Sequence, residues 1–135
     1  MNDSIVLRNL LNMSTEQHRL SWTPHGADQR KGAEIVRLYD ARDAENRGPA
    51  AALLRYRPGA SVPRHLHPGY ELIFVLDGIL TNDSGDHSPG TLEICPPGSS
   101  HALSSAGGCT FLVVWEQPVL VLPRTEPANG PSPSL

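Results

Sequence analysis

Turn-forming residues interrupt this chain so often that long helices are ruled out over most of its length. Between residues 33 and 122, never more than nine residues pass without a glycine, proline, asparagine or aspartate. Between these breaks lie short stretches rich in aliphatic and β-branched residues, which is the pattern of strands joined by tight turns. The sequence therefore predicts an all-β protein, either a sandwich or a barrel.

Two of the predicted strands, residues 72–76 and 110–115, are apolar almost throughout. A strand with one face in water alternates polar and apolar residues, so continuous apolarity means that both faces are covered. The inner cover is the barrel core. The outer cover is either a second copy of the chain, which predicts a homodimer, or the chain's own N-terminal segment.

The chain of 135 residues has the length of one domain. Residues 1–21 are predicted to form an N-terminal helix or arm, because apolar residues recur at near-helical spacing within residues 3–13. Residues 22–122 form the predicted barrel. Residues 123–135 are rich in proline and have too little apolar surface to offset their ordering entropy, so a disordered tail is expected there.

Composition excludes several classes of partner. The net charge of −3 and the pI near 6.0 provide no basic surface for nucleic acid. No stretch approaches the roughly 18–20 apolar residues of a membrane span, and the N-terminus does not resemble a signal peptide. The expectation is a cytoplasmic protein without nucleic-acid or membrane partners. Two cysteines, Cys95 and Cys109, are too few for a disulfide scaffold and are expected to be buried apolar residues.

The stretch RHLHPGYELIFVLDG, residues 64–78, contains the most informative polar residues. His65 and His67 alternate along a predicted strand and so share one face. A Pro-Gly turn then places Glu71 at the start of the next strand, beside them. Imidazoles with a carboxylate suit a borderline divalent ion. By itself the stretch is either a histidine-rich turn or half of a metal site.

Two blocks of the sequence resemble the two motifs of the cupin superfamily, G-x5-H-x-H-x3-E-x6-G and G-x5-P-x-G-x2-H-x3-N. The first block runs from Gly59 to Gly78 and the second from Gly90 to Ser105. Nine of the ten fixed positions match, and only Ser105 departs from the pattern, at a position that does not bind metal in the family. The resemblance implies a double-stranded β-helix, or jelly-roll barrel. It also implies one divalent ion, zinc or iron ahead of manganese or nickel, with four ligands: His65, His67, Glu71 and His101.

Within the cupin superfamily, residues from about Trp22 to Trp115 resemble a narrower family, the cupin-like domain of the ChrR-type anti-sigma factors. The stretch PPGSSHALSSAGGC is more particular to that family than the general motif is. Those proteins carry a separate N-terminal helical domain with a zinc motif. Here only about 20 residues precede the similarity, and none of them is a cysteine. The expectation is a stand-alone ChrR-like cupin, to which sigma-factor binding is not carried over.

Three functions are compatible with this resemblance. Similar small cupins include metal-dependent dioxygenases, so the first is an enzyme of dioxygenase type acting on a small oxygenated organic molecule. The alternative is a metal-dependent sensor of a small molecule or an oxidant, without turnover. In the third, the metal is purely structural. The sequence assigns no catalytic residue.

The strand before Gly59 supplies weaker candidates for a substrate pocket, namely Arg55, Tyr56 and Arg57. An arginine facing the interior could bind a substrate carboxylate through two hydrogen bonds. Strand alternation puts the two arginines on one face and the tyrosine on the other, without deciding which face is inside. The remaining histidines match neither motif and are predicted to face solvent: His18, His25 and His87.

Overall fold

The chain folds into a curled antiparallel sheet, seen in a computed structural model that describes residues 2–26 and 31–123. One short helix, α1 (Met13–Glu16), precedes the sheet and continues into a 3₁₀ turn (Gln17–Arg19). The strands in chain order are β1 (Thr23–Pro24), β2 (Lys31–Asp40), β3 (Ala50–Leu66), β4 (Glu71–Gly78), β5 (Leu80–Asn82), β6 (Gly85–His87), β7 (Leu92–Cys95), β8 (Ser100–Ser105), β9 (Cys109–Trp115) and β10 (Leu120–Val121). The predicted all-β class is confirmed. Apart from Pro123, the tail predicted to be disordered lies outside the described residues.

The long strand β3 organises the sheet. Its first half pairs with β2 and β9, and its second half pairs with β8 and β10. The sequence predicts two strands separated at Pro58 and Gly59, whereas the structure has one strand that bends there. Gly59 has a φ of +84°, a conformation that glycine adopts without steric cost. Because β3 bends instead of ending, its two halves pair with different sets of strands.

The core fills the inside of the curled sheet. Phe111 on β9 is fully buried and lies between its cross-strand partners Leu54 on β3 and Val75 on β4. Ile73 and Val113 form the next cross-strand pair and are both 1% exposed. These residues alternate with outward-facing neighbours, which is how a pleated strand presents one face to the core.

Of the predicted N-terminal helix or arm, residues 2–12 form the arm, and the short helix begins only at Met13. Asn9 adopts a left-handed φ of +60°, which no helix accommodates. An isolated helix of about eleven residues is also marginal in water. None of the helices among the described residues is long and apolar enough to cross a membrane.

The N-terminal segment covers part of the outer face of the sheet. Met13 is 1% exposed and packs with Leu53 and Leu76, and Leu10, Leu20 and Trp22 join the same cluster. The other end of the outer face stays uncovered. Its exposed apolar residues are Leu72, Leu92 and Ile94, with exposures of 37%, 55% and 60%. The chain's own segment therefore covers only some of the strands that the sequence predicts to be buried on both faces.

We expect Met13→Ala to destabilise the protein by about 2–4 kcal/mol, because it leaves a cavity between the N-terminal segment and the sheet. The matched control is Leu11→Ala, since Leu11 is 70% exposed and has little packing to lose. Urea denaturation followed by tryptophan fluorescence measures both changes. Equal losses for the two variants would contradict the packing described here.

Candidate metal centre

Three strands and one turn bring four polar side chains together. His65 on β3 is the direct cross-strand partner of His101 on β8. His67 follows the end of β3, where its N–H donates to the carbonyl of Ser99 at 2.9 Å and its carbonyl accepts from the N–H of Gly98 at 2.8 Å. Glu71 is the first residue of β4. The turn before β8 therefore fixes His67 through its backbone.

The four side chains form one buried cluster. His65, His67, Glu71 and His101 are between 1% and 4% exposed, and each offers a ligand atom within 4.8 Å of the other three. The ring centroids of the three histidines lie 4.5 to 5.2 Å apart. The Glu71 Oε2 lies 2.7 Å from the His67 Nε2 and 3.3 Å from the His101 Nε2. This group could hold a metal ion.

Outward hydrogen bonds set the tautomers of His65 and His67. The His65 Nδ1 lies 3.0 Å from the Pro63 carbonyl, which only accepts, so this nitrogen carries the hydrogen. The Ser99 hydroxyl donates to the Pro96 carbonyl at 2.6 Å, so its oxygen accepts from the His67 Nδ1 at 2.9 Å. Both rings therefore point an Nε2 lone pair inward.

The third histidine has a thiol as its outer partner. The His101 Nδ1 lies 3.9 Å from the Cys95 Sγ, which itself donates to the Glu93 Oε1 at 3.6 Å. Asn82 also donates to that Glu93 oxygen, at 2.7 Å. Burial raises the pKa of Cys95 to about 12, so the thiol keeps its hydrogen. The sulfur can then accept from His101, which also turns its Nε2 inward.

The inner atoms of the cluster suit a divalent cation. When the hydrogen of each imidazole ring is on Nδ1, the His67 Nε2 and the Glu71 Oε2 are both acceptors. They lie 2.7 Å apart with no hydrogen between them. These atoms and the His101 Nε2 are buried without a hydrogen-bond partner. Buried acceptors that face one another are unfavourable unless a positive charge joins them. Nitrogen ligands with one carboxylate match zinc or iron.

The protonation of the cluster agrees with a ligand role. Burial lowers the pKa of His65 to about 4, so this ring is neutral at neutral pH. Burial raises the pKa of Glu71, and hydrogen bonds from the His101 and His67 rings bring it to about 2, which requires a donor on the inner side of those rings. With the ring hydrogens on the outer nitrogens, a bound cation takes the place of that donor, so the ionised Glu71 and the cation stabilise each other.

A cavity of about 20 Å³ adjoins the cluster on the side of His65 and Glu71. It has room for about one water molecule. The other residues that line it are His25, Leu54, Tyr56, Val62, Leu103, Phe111, Val113, Trp115 and Val119. The space beside the ligands is therefore mostly apolar.

The predicted pocket residues divide between the two faces of β3. Tyr56 faces inward, lines the cavity and packs edge-on against Phe111. Arg55 and Arg57 face outward, contrary to the prediction that an arginine lines the pocket. Arg55 lies 3.0 Å from Glu34 and stacks over the ring of Trp22 at 4.4 Å, and Arg57 is 3.3 Å from the same carboxylate. Strand alternation and this outer ion pair keep the arginines away from the cavity.

Two of the histidines predicted to face solvent do not do so. His25 is half-buried and lines the cavity. The His87 side chain is 13% exposed, with its Nε2 3.0 Å from the Asn82 Oδ1. His18 is exposed, as predicted. No sequence pattern links His25 to the two motifs, whereas Ser99 lies inside the PPGSSH turn and could have been identified there.

We expect Ser99→Ala to lower the affinity for zinc roughly ten- to a hundredfold, because His67 loses the group that orients its ring. Competition with a chromogenic chelator measures the affinity. Ser88→Ala is the matched control, since Ser88 is exposed and its hydroxyl contacts none of the ligands. An unchanged affinity in Ser99→Ala would contradict the role given to this hydrogen bond.

Comparison with solved structures supports the fold. A chain in the crystal structure of Rhodobacter sphaeroides SigE in complex with the anti-sigma ChrR is 23% identical, with a TM-score of 0.62 over 77% of this chain and 54% of that one. The polyketide cyclase RemF from Streptomyces resistomycificus is 23% identical, with a TM-score of 0.65 over 81% and 84%. A putative acetylacetone dioxygenase from Methylibium petroleiphilum is 17% identical, with a TM-score of 0.68 over 91% and 87%.

These identities show a shared fold and no more. The chain spans about half the length of the chain that it matches in the SigE–ChrR complex. No curated protein matches the sequence. A family profile described as the ChrR cupin-like domain matches residues 12–119, which is most of the chain. The protein therefore belongs to the family of ChrR cupin-like domains.

Proposed function

We propose that this protein is a metal-dependent enzyme of dioxygenase type that acts on a small oxygenated organic molecule. The observation that carries the proposal is the mostly apolar cavity beside a buried group of three histidines and one glutamate. Small-molecule sites are typically concave and apolar, with a few polar groups that fix the orientation of the ligand. One divalent ion would be held by His65, His67, Glu71 and His101.

Iron(II) is the metal we propose for this activity, with zinc, manganese and nickel as the other candidates. When bound, such an ion polarises an oxygen of the substrate and supports chemistry with dioxygen. The chain's own contribution is to fix the ligands and to exclude water with walls such as Phe111 and Trp115. The putative acetylacetone dioxygenase shares the fold, which is compatible with this chemistry without demonstrating it.

The cavity favours an uncharged substrate. Among the described residues that line it there is no arginine or lysine. A substrate carboxylate would therefore find no guanidinium or ammonium group to bind. A neutral carbonyl or hydroxyl compound meets no such difficulty, so a short diketone fits the lining better than a keto acid does.

A metal-dependent sensor is the second candidate, and the small volume of the cavity favours it. About 20 Å³ admits a water-sized molecule, whereas a diketone requires the wall to move. Burial raises the pKa of Cys95 to about 12 and that of Cys109 to about 11, so neither thiol is activated towards oxidants. An oxidant sensor of this design would respond at the metal ligands.

The remaining assignments belong to the same proposal. We place the cupin domain at residues 22–122 and the N-terminal arm at residues 1–21. We also propose a cytoplasmic location, in which reduced cysteines and an iron(II) site are chemically compatible.

Metal content and oxygen consumption test the function together. For protein purified without added metal, we expect close to one iron per chain and oxygen uptake with acetylacetone. Glu71→Gln removes the only anionic ligand of the group and should abolish both, whereas His18→Ala, which changes an exposed histidine, should leave both unchanged. Saturated zinc without oxygen uptake would overturn the enzyme and favour the sensor. Metal retained in full by Glu71→Gln would refute the site itself.

We also propose that a second copy of the chain covers the exposed outer face. Leu72 on β4 and Ile94 on β7 are direct cross-strand partners and both are exposed, as is Leu92. A groove of about 740 Å³ separates the N-terminal segment from Phe74 and Leu112 on the same face. A contiguous apolar patch at the edge of a sheet is typical of a subunit interface.

Ile94→Glu should convert a dimer into a monomer, because it introduces a charge at the centre of this patch. Analytical ultracentrifugation at micromolar concentration measures the change. Ile79→Glu is the matched control, since Ile79 is a comparably exposed isoleucine beyond the far end of β4. A monomeric wild-type protein would contradict the proposal.

A further inference from the structure

Polar side chains join the two ends of the curled sheet. Along the strand order β6-β5-β8-β3-β9-β4-β7, the strands β6 and β7 stand at opposite ends. Asn82 on β5 donates to the Glu93 Oε1 on β7 at 2.7 Å, and the His87 Nε2 on β6 lies 3.7 Å from the Glu93 Oε2. Curling of the sheet therefore brings β7 close to strands at its other end, and Glu93 lies where they meet.

A carboxylate, a thiol and an imidazole come together at this place. Glu93 and Cys95 are two residues apart on β7, so they share one face, and they alternate with the exposed Leu92 and Ile94. The Cys95 Sγ lies 3.6 Å from the Glu93 Oε1 and 3.9 Å from the His101 Nδ1 on β8. Each of these three residues offers a ligand atom within 4.8 Å of the other two. They form a second group of potential ligands beside the group around Glu71.

We propose that Glu93, Cys95 and His101 form a second metal site, the outer site, which binds a thiophilic divalent cation such as zinc or cadmium. Thiolate sulfur, imidazole nitrogen and carboxylate oxygen are the ligands that zinc takes in proteins. A thiolate favours soft cations over hard ones such as magnesium. When the cation binds, it replaces the hydrogen of the Cys95 thiol, which leaves to solvent as a proton, and the sulfur becomes a thiolate ligand.

The surroundings of the outer site give a cation both access and a fixed carboxylate. The side chain of Glu93 is 17% exposed, whereas Cys95 is 6% exposed, so a cation from solvent meets the carboxylate before the sulfur. Asn82 holds the carboxylate through its amide, and the Asn82 Oδ1 lies 3.0 Å from the His87 Nε2. These contacts stay outside the ligand group and orient Glu93 towards Cys95.

His101 reaches both metal sites, through opposite ring nitrogens. Its Nε2 lies 3.3 Å from the Glu71 Oε2, and its Nδ1 faces Cys95. A neutral imidazole has only one nitrogen lone pair, so an ion in the inner group requires the ring hydrogen on Nδ1. An ion in the outer site requires it on Nε2, which can then donate to Glu71. The two ions therefore compete for His101, and the outer site does not depend on the proposed dioxygenase activity.

Cadmium titration of the full chain, after a chelator has removed bound metal, tests the inference. Cadmium bound to a thiolate has a charge-transfer absorbance in the ultraviolet, which reports cysteine ligation and gives a Kd. We expect the absorbance of one cadmium–thiolate bond per chain. Cys95→Ser and Cys95→Ala should both abolish it. Glu93→Gln should raise the Kd at least about tenfold, because even the loss of an outer partner of a ligand costs this much affinity.

Matched variants separate the outer site from other sources of the signal. Cys109→Ser changes the other cysteine, which lies on β9, and Glu45→Gln changes an exposed glutamate. Both should keep the wild-type absorbance and Kd. His67→Ala removes a ligand of the inner group alone, so its Kd for the outer site should be no higher than that of the wild type. Circular dichroism verifies that each variant is folded.

Several results would overturn the inference. A wild type without thiolate absorbance, or Cys95→Ser with it, would exclude Cys95 as a ligand. Loss of the absorbance in folded Cys109→Ser would place the thiolate elsewhere. Loss in folded His67→Ala would mean that cadmium in the inner group attracts the sulfur, which would remove the outer site and leave the inner site standing.

Discussion

The site depends on one constraint: three imidazole lone pairs and one carboxylate face one another, so a cation is needed between them. Such an arrangement holds only if each ring keeps its hydrogen on the outer nitrogen, and the fold supplies a different acceptor for each ring: the Pro63 carbonyl, the Ser99 hydroxyl and the Cys95 sulfur. One acceptor is backbone, one belongs to a turn and one to a neighbouring strand. The cluster is consequently built by several elements together, so a change in any of them reaches the ligands.

The bend in β3 makes that assembly possible. A single strand carries Tyr56 before the bend and His65 after it, so it contributes both to the lining of the cavity and to the ligand group. Gly59 at the bend has the φ that permits the change of direction. A second motif glycine, Gly78, is required for another reason: a Cβ there would clash with the carbonyl of Gly108. The motif glycines thus shape the barrel, while the histidines and Glu71 supply its chemistry.

The two faces of the sheet have separate tasks. The inner face contains the core and the cavity, whereas the outer face contains the ion pair of Arg55 with Glu34 and the cluster around Met13. Arg55 stacks on Trp22, so it links the N-terminal segment to β3 instead of meeting a substrate. The uncovered apolar end of the outer face is the surface at which we propose that a second copy binds, and it lies on the face opposite to the ligand group.

Much of this protein could be predicted from its sequence. Frequent turn residues indicated an all-β fold, because strand alternation and turn chemistry are local and depend on nearby residues. The resemblance to the two cupin motifs implied the group of His65, His67, Glu71 and His101, which the structure brings within 4.8 Å. The N-terminal helix begins later than the apolar spacing of residues 3–13 suggests, because so short a helix is marginal by itself and the most deeply buried residue of this segment is Met13.

Only the tertiary structure decided which side chains meet across the chain. Alternation left open whether Arg55 or Tyr56 faces inward, and the pairing of Arg55 with Glu34 on the neighbouring strand settled it. His25 reaches the cavity through the register of β1 and β2, which nothing in its sequence surroundings specifies. The sequence by itself determined the residue types and their local spacing. The cavity and the residues that line it depend on contacts between distant strands, and those are set by the packing of the whole sheet.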